Sequence, residues 1–446
     1  MKNKIKSDIK KHEITFSIYG LGNVGAPIAA VWLRAGAKVI GVDISINLLN
    51  DIKNGISHKK EPLVSKVFTN GINNKSFYVT NDGITASKNS DVKIIIVPVA
   101  ISKGKADFNA LISVSKSISQ GLKKGDTVIV CPSLPPNTTE KIILPLLEKG
   151  SNLKGEKDFY LIYNPERIYE GRAIEDIEKN YPAIIAGLGK KSIERGSSLL
   201  KIISKKGVLE LSSLAAAEAE KLFEGVYRDV NIALANELTE YCEKIGINYW
   251  ETKNAANSQP YCHLHYPGTG VGGLCIPVYP KIILESANTV GKKMDIVQKA
   301  RKFNDLMPKK CVNSSLKFLH KNKKISKNVK IAVLGLGFRG DVTDSRLSPT
   351  YDVIKEFLKQ NFKVVVHDPY IFQDKKLPKK VLLTKNLDQA ISNADLVFIS
   401  TDHKIYSKLD KNSFNITKKP LLIFDGRNIL NKTKFQNNLI KTLGIN

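Results

Sequence analysis

A chain of 446 residues, 42% of them hydrophobic, is long enough for two or three domains with full cores, and no apolar run approaches the ~20 residues that span a bilayer. The five cysteines are too scattered for a disulfide framework, which points to a reducing, cytoplasmic setting. The net charge of +27 comes from lysines spread along the whole chain, a solvated surface that also attracts anionic ligands or an anionic surface; zinc-finger spacing and a clustered basic arm, the marks of a nucleic-acid binder, are absent.

In chain order, "MKNKIKSDIKKHE" (1–13) reads as a solvated basic tail, with no apolar segment of a signal peptide behind it. From 14 to 208, short β-rich runs alternate with helical stretches: "TFSIYG", "AKVIGVD", "VKIIIVP", "DTVIVCP", "FYLIYNP" and "AIIAG". That is the rhythm of a parallel sheet with crossover helices. From 209 to 308 the pattern turns helical, opening on one long segment in which Leu222, Val226, Val230 and Ala233 fall at helical spacing. Such a helix serves either as a dimer interface or as an internal strut. A linker is expected over 309–328, ending in the polar "NKKISKN", and a second strand–helix alternation fills 329–446 with "VKIAVLG", "KVVVHDP", "VLLTKN", "LVFIST" and "LLIFDG". The expected fold is therefore α/β, with two Rossmann-like parallel-sheet domains joined by a helical central domain that contains one long helix.

The pattern Gly-x-Gly-x-x-Gly occurs at 20–25, 268–273 and 335–340. The first occurrence has the full context of a dinucleotide site. A strand leads into Gly20, Gly22, Asn23, Val24 and Gly25, a helix follows at once, and the next strand ends in Asp43. Glycines let backbone amides approach a pyrophosphate at a helix N-terminus, and a carboxylate at Asp43 suits a ribose while repelling a 2′-phosphate, so NAD is expected over NADP. The third loop also follows a strand, but a charged stretch stands where its helix should begin. Arg339 and Arg346 there suit a phosphate-bearing ligand, or belong to a purely structural repeat. The middle loop has no strand before it and carries Cys275 after it, so Gly270, Gly272 and Gly273 read as glycines crowding amides around a reactive sulfur or its substrate, with a buried, inert cysteine as the plain alternative. Cys262, His263 and His265 lie close in sequence, yet no second pair at ligand spacing accompanies them, and no metal is expected.

Several further blocks stand in a specific order: "SLPPNTTE" (133–140), "YNPERIYEG" (163–171), "AEAEKLFEGVYRDVNIALANE" (217–237), "PGTGVGGLCIP" (267–277), "LGLGFRGDVTDSRLSP" (334–349), "STDH" (400–403) and "DGRN" (425–428). With GLGNVG and Asp43 they resemble the UDP-glucose/GDP-mannose dehydrogenase family from about residue 14 to the end, and "YRDVNIALANE" is most similar to the branch acting on UDP-N-acetylhexosamines, notably UDP-N-acetyl-D-mannosamine. UDP-glucose is the alternative substrate. The resemblance implies an N-terminal NAD domain, a dimerising helical middle and a C-terminal domain for the UDP-sugar. It also implies four-electron oxidation of a sugar C6 alcohol, with Cys275 as nucleophile, Lys221 at the oxyanion, Glu166 as general base and Ser133 near the catalytic water. Val97 and Ser133 would border the nicotinamide. Arg167, Asn257, Arg339 and Arg346, with Arg301 and Asn304, would surround the sugar nucleotide.

The sequence also departs from the family pattern. Tyr279 stands at a family Asp, Gly225 at an Asn one helical turn after Lys221, and Tyr261 at an Arg; Asn137 replaces a turn glycine, and "VPVA" replaces "VPTP". Losing the Asp and the Asn removes two hydrogen-bonding groups from the implied water and oxyanion site. Three readings follow: a complete four-electron enzyme with a rebuilt water site, an enzyme that stalls after the first oxidation, and a nucleotide-sugar binder without turnover.

Overall fold

A computed structural model describes residues 2–56, 61, 63–102, 105–322, 329–417, 420–435 and 440–445. The chain forms two compact units, Met1–Phe223 and Glu224–Asn446. The expected helical middle is thus divided: its first helix crosses from one unit to the other, and its remaining helices belong with the C-terminal sheet.

In the first unit, strands β1 (Thr15–Tyr19), β2 (Lys38–Val42), β3 (Phe77–Thr80), β4 (Val92–Ile95), β7 (Thr127–Val130), β8 (Tyr160–Tyr163), β9 (Ala183–Gly187) and β10 (Val208–Glu210) form one sheet in the order β10-β9-β8-β7-β4-β1-β2-β3. A separate two-stranded ribbon, β5 (Ala100–Ser102) with β6 (Lys105–Asp107), stands apart from it. The sheet is parallel, as expected, except where β8 meets β9 antiparallel. Both β4 and β7 are fully buried between covering helices; β7 is almost wholly apolar, whereas β4 carries Lys93, whose buried ammonium is met by Asp126. One covering helix is unexpected. Lys2–Lys10 is not a solvated tail but a helix whose Ile5 and Ile9, one turn apart, are buried in the core.

The second unit holds a wholly parallel sheet of β11 (Lys330–Leu334), β12 (Lys363–His367), β13 (Leu382–Thr384), β14 (Leu396–Ile399), β15 (Ile423–Asp425) and β16 (Ile440–Thr442), ordered β13-β12-β11-β14-β15-β16. In both sheets the first strand lies between strands reached in opposite directions, so each glycine loop leaves its sheet at a topological switch point. The long helix runs Leu214–Ile245, and the helices Tyr249–Ala256, Tyr279–Thr289 and Asp295–Asn322 follow it. Residues 309–322, expected as linker, continue the last helix; 323–328 lie outside the described residues. Of the expected stripe on the long helix, Leu222 and Ala233 are buried, whereas Val226 and Val230 are half-buried. The buried face instead carries Glu218, Gly225, Asp229 and Asn236.

Candidate active site

The loop after β1 has the shape that its glycines require. Gly20 turns at φ +96°, and a Cβ there would meet the Ile96 carbonyl oxygen at 2.6 Å. At Gly25, the first residue of the Gly25–Arg34 helix, a Cβ would fall 1.8 Å from the Gly20 oxygen. At Gly22 nothing lies within 4 Å. The outer glycines are thus needed by the protein itself, and the middle one leaves an open approach for a ligand. Asp43, at the end of β2, accepts from the amides of Leu21 and Ser45, each at 2.9 Å, and remains half-buried beside the loop. These residues fit a dinucleotide: an unobstructed backbone at Gly22 just before a helix N-terminus, with the Asp43 carboxylate beside the loop.

The loop after β11 repeats this backbone but closes it. Asp368, the counterpart of Asp43, is fully buried and accepts from the amides of both Leu336 (2.8 Å) and Gly337 (3.0 Å). His403 completes its shell: its Nδ1 accepts from the Asp341 amide at 2.9 Å, so Nε2 carries the proton and donates to Asp368 at 3.2 Å. Burial acts to raise the Asp368 pKa, but His403 and the loop amides hold it below the usual carboxylate range. A Cβ on Gly337 would already face the Arg339 oxygen at 3.1 Å. The dinucleotide fit therefore belongs to the first loop alone of the two. Arg339 is half-buried beside this closed loop, and Arg346 is pinned by Asp344 through Nε at 2.9 and 3.0 Å while nearly half its side chain stays exposed.

The middle loop is packed tightly against its own unit. Cβ atoms on Gly270, Gly272 and Gly273 would collide with Pro349 (2.8 Å), the Phe338 Cβ (2.7 Å) and the Phe338 ring (2.9 Å), and Gly273 donates its amide to the Arg346 carbonyl at 3.0 Å. The missing side chains are accounted for by close docking onto segment 338–349, which brings this loop together with Arg339 and Arg346. Beyond the glycines, the carbonyl of Cys275 accepts from the amides of Val278 (3.0 Å) and Tyr279 (2.9 Å), a turn that leads into the Tyr279–Thr289 helix. Of the five cysteines, all described, Cys275 alone is exposed.

Three expected residues of the first unit lie after β7 (Ser133), after β8 (Glu166) and on the long helix (Lys221), and the last two are close enough to interact electrostatically. Glu166 follows β8; burial raises its pKa to about 7, against the pull of Lys221 and of the Arg167 amide, which it accepts at 2.8 Å. Arg167 braces that loop, donating to the Pro182 carbonyl at 2.5 Å with its guanidinium over the Tyr181 ring. Ser133, Lys221 and Val97 are half-buried. Asn137 adopts φ +73°, the left-handed turn that asparagine tolerates in place of glycine. Nearby, buried Glu218 accepts from both the amide (2.7 Å) and the hydroxyl (2.6 Å) of Thr139, a brace that the sequence did not single out.

Three expected residues of the second unit are engaged in hydrogen bonds within the protein. Asn257 spends its amide on its own loop, accepting from Leu264 (2.8 Å) and the Cys262 thiol (3.4 Å) and donating to the Leu264 carbonyl (2.9 Å). Arg301 and Asn304 are buried. Arg301 pairs with Asp229, and Asn304 donates to the Asp229 carboxylate at 2.9 Å and accepts from Asn236, whose own oxygen holds the Gly268 amide at 2.9 Å. Asp229 and Asn236 were missed, although a carboxylate and an amide on the buried face of a helix are legible as a paired network.

The order of the chain's domains is that of a known family. Residues 14–204 match the NAD binding domain of the UDP-glucose/GDP-mannose dehydrogenase family, residues 215–306 its central domain and residues 332–432 its UDP binding domain. The chain belongs to this family. It is 33% identical to UDP-N-acetyl-D-mannosamine dehydrogenase of Methanococcus maripaludis, over 95% of this chain and 94% of that one. The Campylobacter jejuni protein of that name is 35% identical over 87% and 95%. The solved structure of UDP-D-ManNAc dehydrogenase from Pyrococcus horikoshii superposes with a TM-score of 0.89 at 29% identity, covering 97% of this chain and 99% of that one. Family membership makes this chain an NAD-dependent nucleotide-sugar dehydrogenase. Among the described residues, no helix is long and apolar enough to cross a membrane.

Proposed function

We propose that this family member oxidises the C6 alcohol of UDP-N-acetyl-D-mannosamine to the uronate in four electrons, through a thiohemiacetal and a thioester on Cys275. The observation that carries the reading is the exposed thiol of Cys275 on a hydrogen-bonded turn, among cysteines otherwise buried or, at Cys262, donating to Asn257. NAD, held at Gly20, Gly22, Asn23, Val24, Gly25 and Asp43 with Val97 and Ser133, supplies the electron acceptor for both oxidations. The Cys275 thiolate forms a C–S bond to the aldehyde carbon, which keeps the intermediate bound. The Lys221 ammonium neutralises the oxygen that gains charge at each addition. Glu166, its pKa raised to about 7, takes the proton of the water that cleaves the thioester, with the Ser133 hydroxyl orienting that water. Arg339 and Arg346 serve the nucleotide's phosphates, with Arg167, Asn257 and the loop of Gly270, Gly272 and Gly273 shaping the sugar's surroundings.

The relatives named above carry the choice of sugar. We also infer a homodimer in the cytoplasm. Phe223, Tyr227, Leu234, Tyr241 and Ile245 are exposed along the long helix at steps of four and seven residues, an apolar seam of the kind that paired helices cover.

One observation favours a second reading, oxidation that stalls at the aldehyde or the thioester. Position 279 offers no carboxylate and position 225 no side chain. A panel of UDP- and GDP-sugars decides the substrate: UDP-N-acetyl-D-mannosamine is expected to give the highest kcat/KM. Preference for UDP-glucose would replace that sugar, and binding of every ligand without NADH would remove the enzyme reading.

A further inference from the structure

Gly225 lies on the buried face of the long helix, and its lack of a side chain has one evident beneficiary. A Cβ there would fall 2.3 Å from Cδ2 of Tyr279, 3.0 Å from its Cγ and 3.1 Å from its Cβ. The near atoms include the base of the side chain, so the ring cannot swing clear by a small rotation about its outer bonds. The tyrosine is held at its other end as well. Its amide donates to the Cys275 carbonyl at 2.9 Å, and the residue is buried at the first position of its helix. One residue thus grips both the long helix, through its ring, and the turn that carries Cys275, through its backbone. The two departures from the family pattern become a single structural change, because a side chain at 225 and a tyrosine at 279 compete for the same space.

We propose that the Tyr279 ring, seated on the bare backbone of Gly225, is the positioning element that fixes the Cys275 turn for reaction. It deepens the proposed function, resting on Cys275 as the nucleophile, and it assigns the work to the ring's packing rather than to the phenol hydroxyl. Small displacements of a reacting group are costly, so a loosened turn acts on the chemical step and not on dinucleotide binding.

The test uses the full chain with Gly225→Ala, Tyr279→Phe, Tyr279→Ala and the double variant G225A/Y279A. Three readouts apply: kcat with the best nucleotide sugar, NAD affinity, and the rate of Cys275 alkylation by iodoacetamide, resolved from Cys262 by peptide mass spectrometry. Y279F is expected to stay within about threefold of the parent in kcat and in alkylation rate, while G225A and Y279A each lose about tenfold or more in kcat and change the Cys275 alkylation rate at least about threefold, with NAD affinity and Cys262 labelling unmoved. Because both single variants break one contact, the double variant is expected to be no worse than the worse single. Full activity of G225A, losses that add in the double variant, or a Y279F as damaged as Y279A would overturn the proposal. Should Y279A fail to fold by circular dichroism, G225A and Y279F decide between these outcomes. The alkylation arm needs no substrate, so a parent protein without turnover would sink the proposed function and still leave the Tyr279–Gly225 seat open to this test.

Discussion

Arg301, from the Asp295–Asn322 helix, places its guanidinium on the carboxylate of Asp229 in the long helix, and both side chains are buried. Asn304 and Asn236 extend the pair to the amide of Gly268, at the start of the loop that carries Cys275. Burial pushes the Asp229 carboxyl above the usual range even against the pull of Arg301. Removing the arginine alone leaves a buried charge without its partner. Arg301→Met is therefore expected to lower stability by about 3–5 kcal/mol, with the double variant R301M/D229N recovering part of the loss. Urea unfolding checks this; a change below about 1 kcal/mol in R301M would show that the network is not holding the unit together.

The two outer elements of the first glycine loop and its centre respond differently to a single methyl. Gly25→Ala forces a Cβ to within 1.8 Å of the Gly20 oxygen and is expected to cost at least about 2–3 kcal/mol of stability. Gly22→Ala meets nothing within 4 Å, so its melting temperature without ligand is expected to match the parent's while NAD affinity falls about tenfold or more. Thermal melts with and without NAD separate the two; a G22A protein that binds NAD normally would contradict the loop's assignment.

That loop was legible in the sequence because everything that defines it is local: strand, three glycines, helix and Asp43 stand within one unit of chain. The short strands β3, β10 and β16 were not, since three or four residues carry too little alternation to stand out. The Lys2–Lys10 helix was read as tail because its buried stripe is only Ile5 and Ile9 in a lysine-rich segment. Gly270, Gly272 and Gly273 were recognised as special, but the reason lies in Phe338 and Pro349, some seventy residues on. The same holds for Gly225, whose significance appears only once Tyr279 is placed against it. Contacts between distant segments leave no periodic trace along the chain.

Glu166 links activity to pH, and stability to pH with the opposite sense. As a general base it works when ionised, so the hydrolytic step is expected to fall as pH drops below its pKa of about 7, by about tenfold per unit well below it. Its folded pKa lies above the ordinary 4.5, so the folded state binds the proton more tightly than the unfolded one. Stability from this group is then fully present below about pH 4.5 and is lost as pH rises through about 7. Glu166→Gln is expected to melt higher than the parent at pH 8, by up to about 3 kcal/mol, to match it near pH 4.5, and to lose the acidic limb of the rate profile. Equal melting of the two proteins at pH 8 would contradict the raised pKa.

The exposed seam of the long helix predicts the assembly. Tyr241→Glu, placing a charge among Leu234, Tyr241 and Ile245, is expected to yield monomer by light scattering at concentrations where the parent is a dimer. A parent that is monomeric at high concentration would remove the seam's proposed role.

In the proposed reaction Cys275 carries the sugar through both oxidations. Its most direct test counts NADH formed per molecule of UDP-N-acetyl-D-mannosamine consumed, in the parent and in Cys275→Ser. Two NADH per sugar are expected in the parent, with loss of the complete four-electron reaction in the variant. One NADH per sugar in the parent, or full four-electron turnover without the thiol, would contradict it.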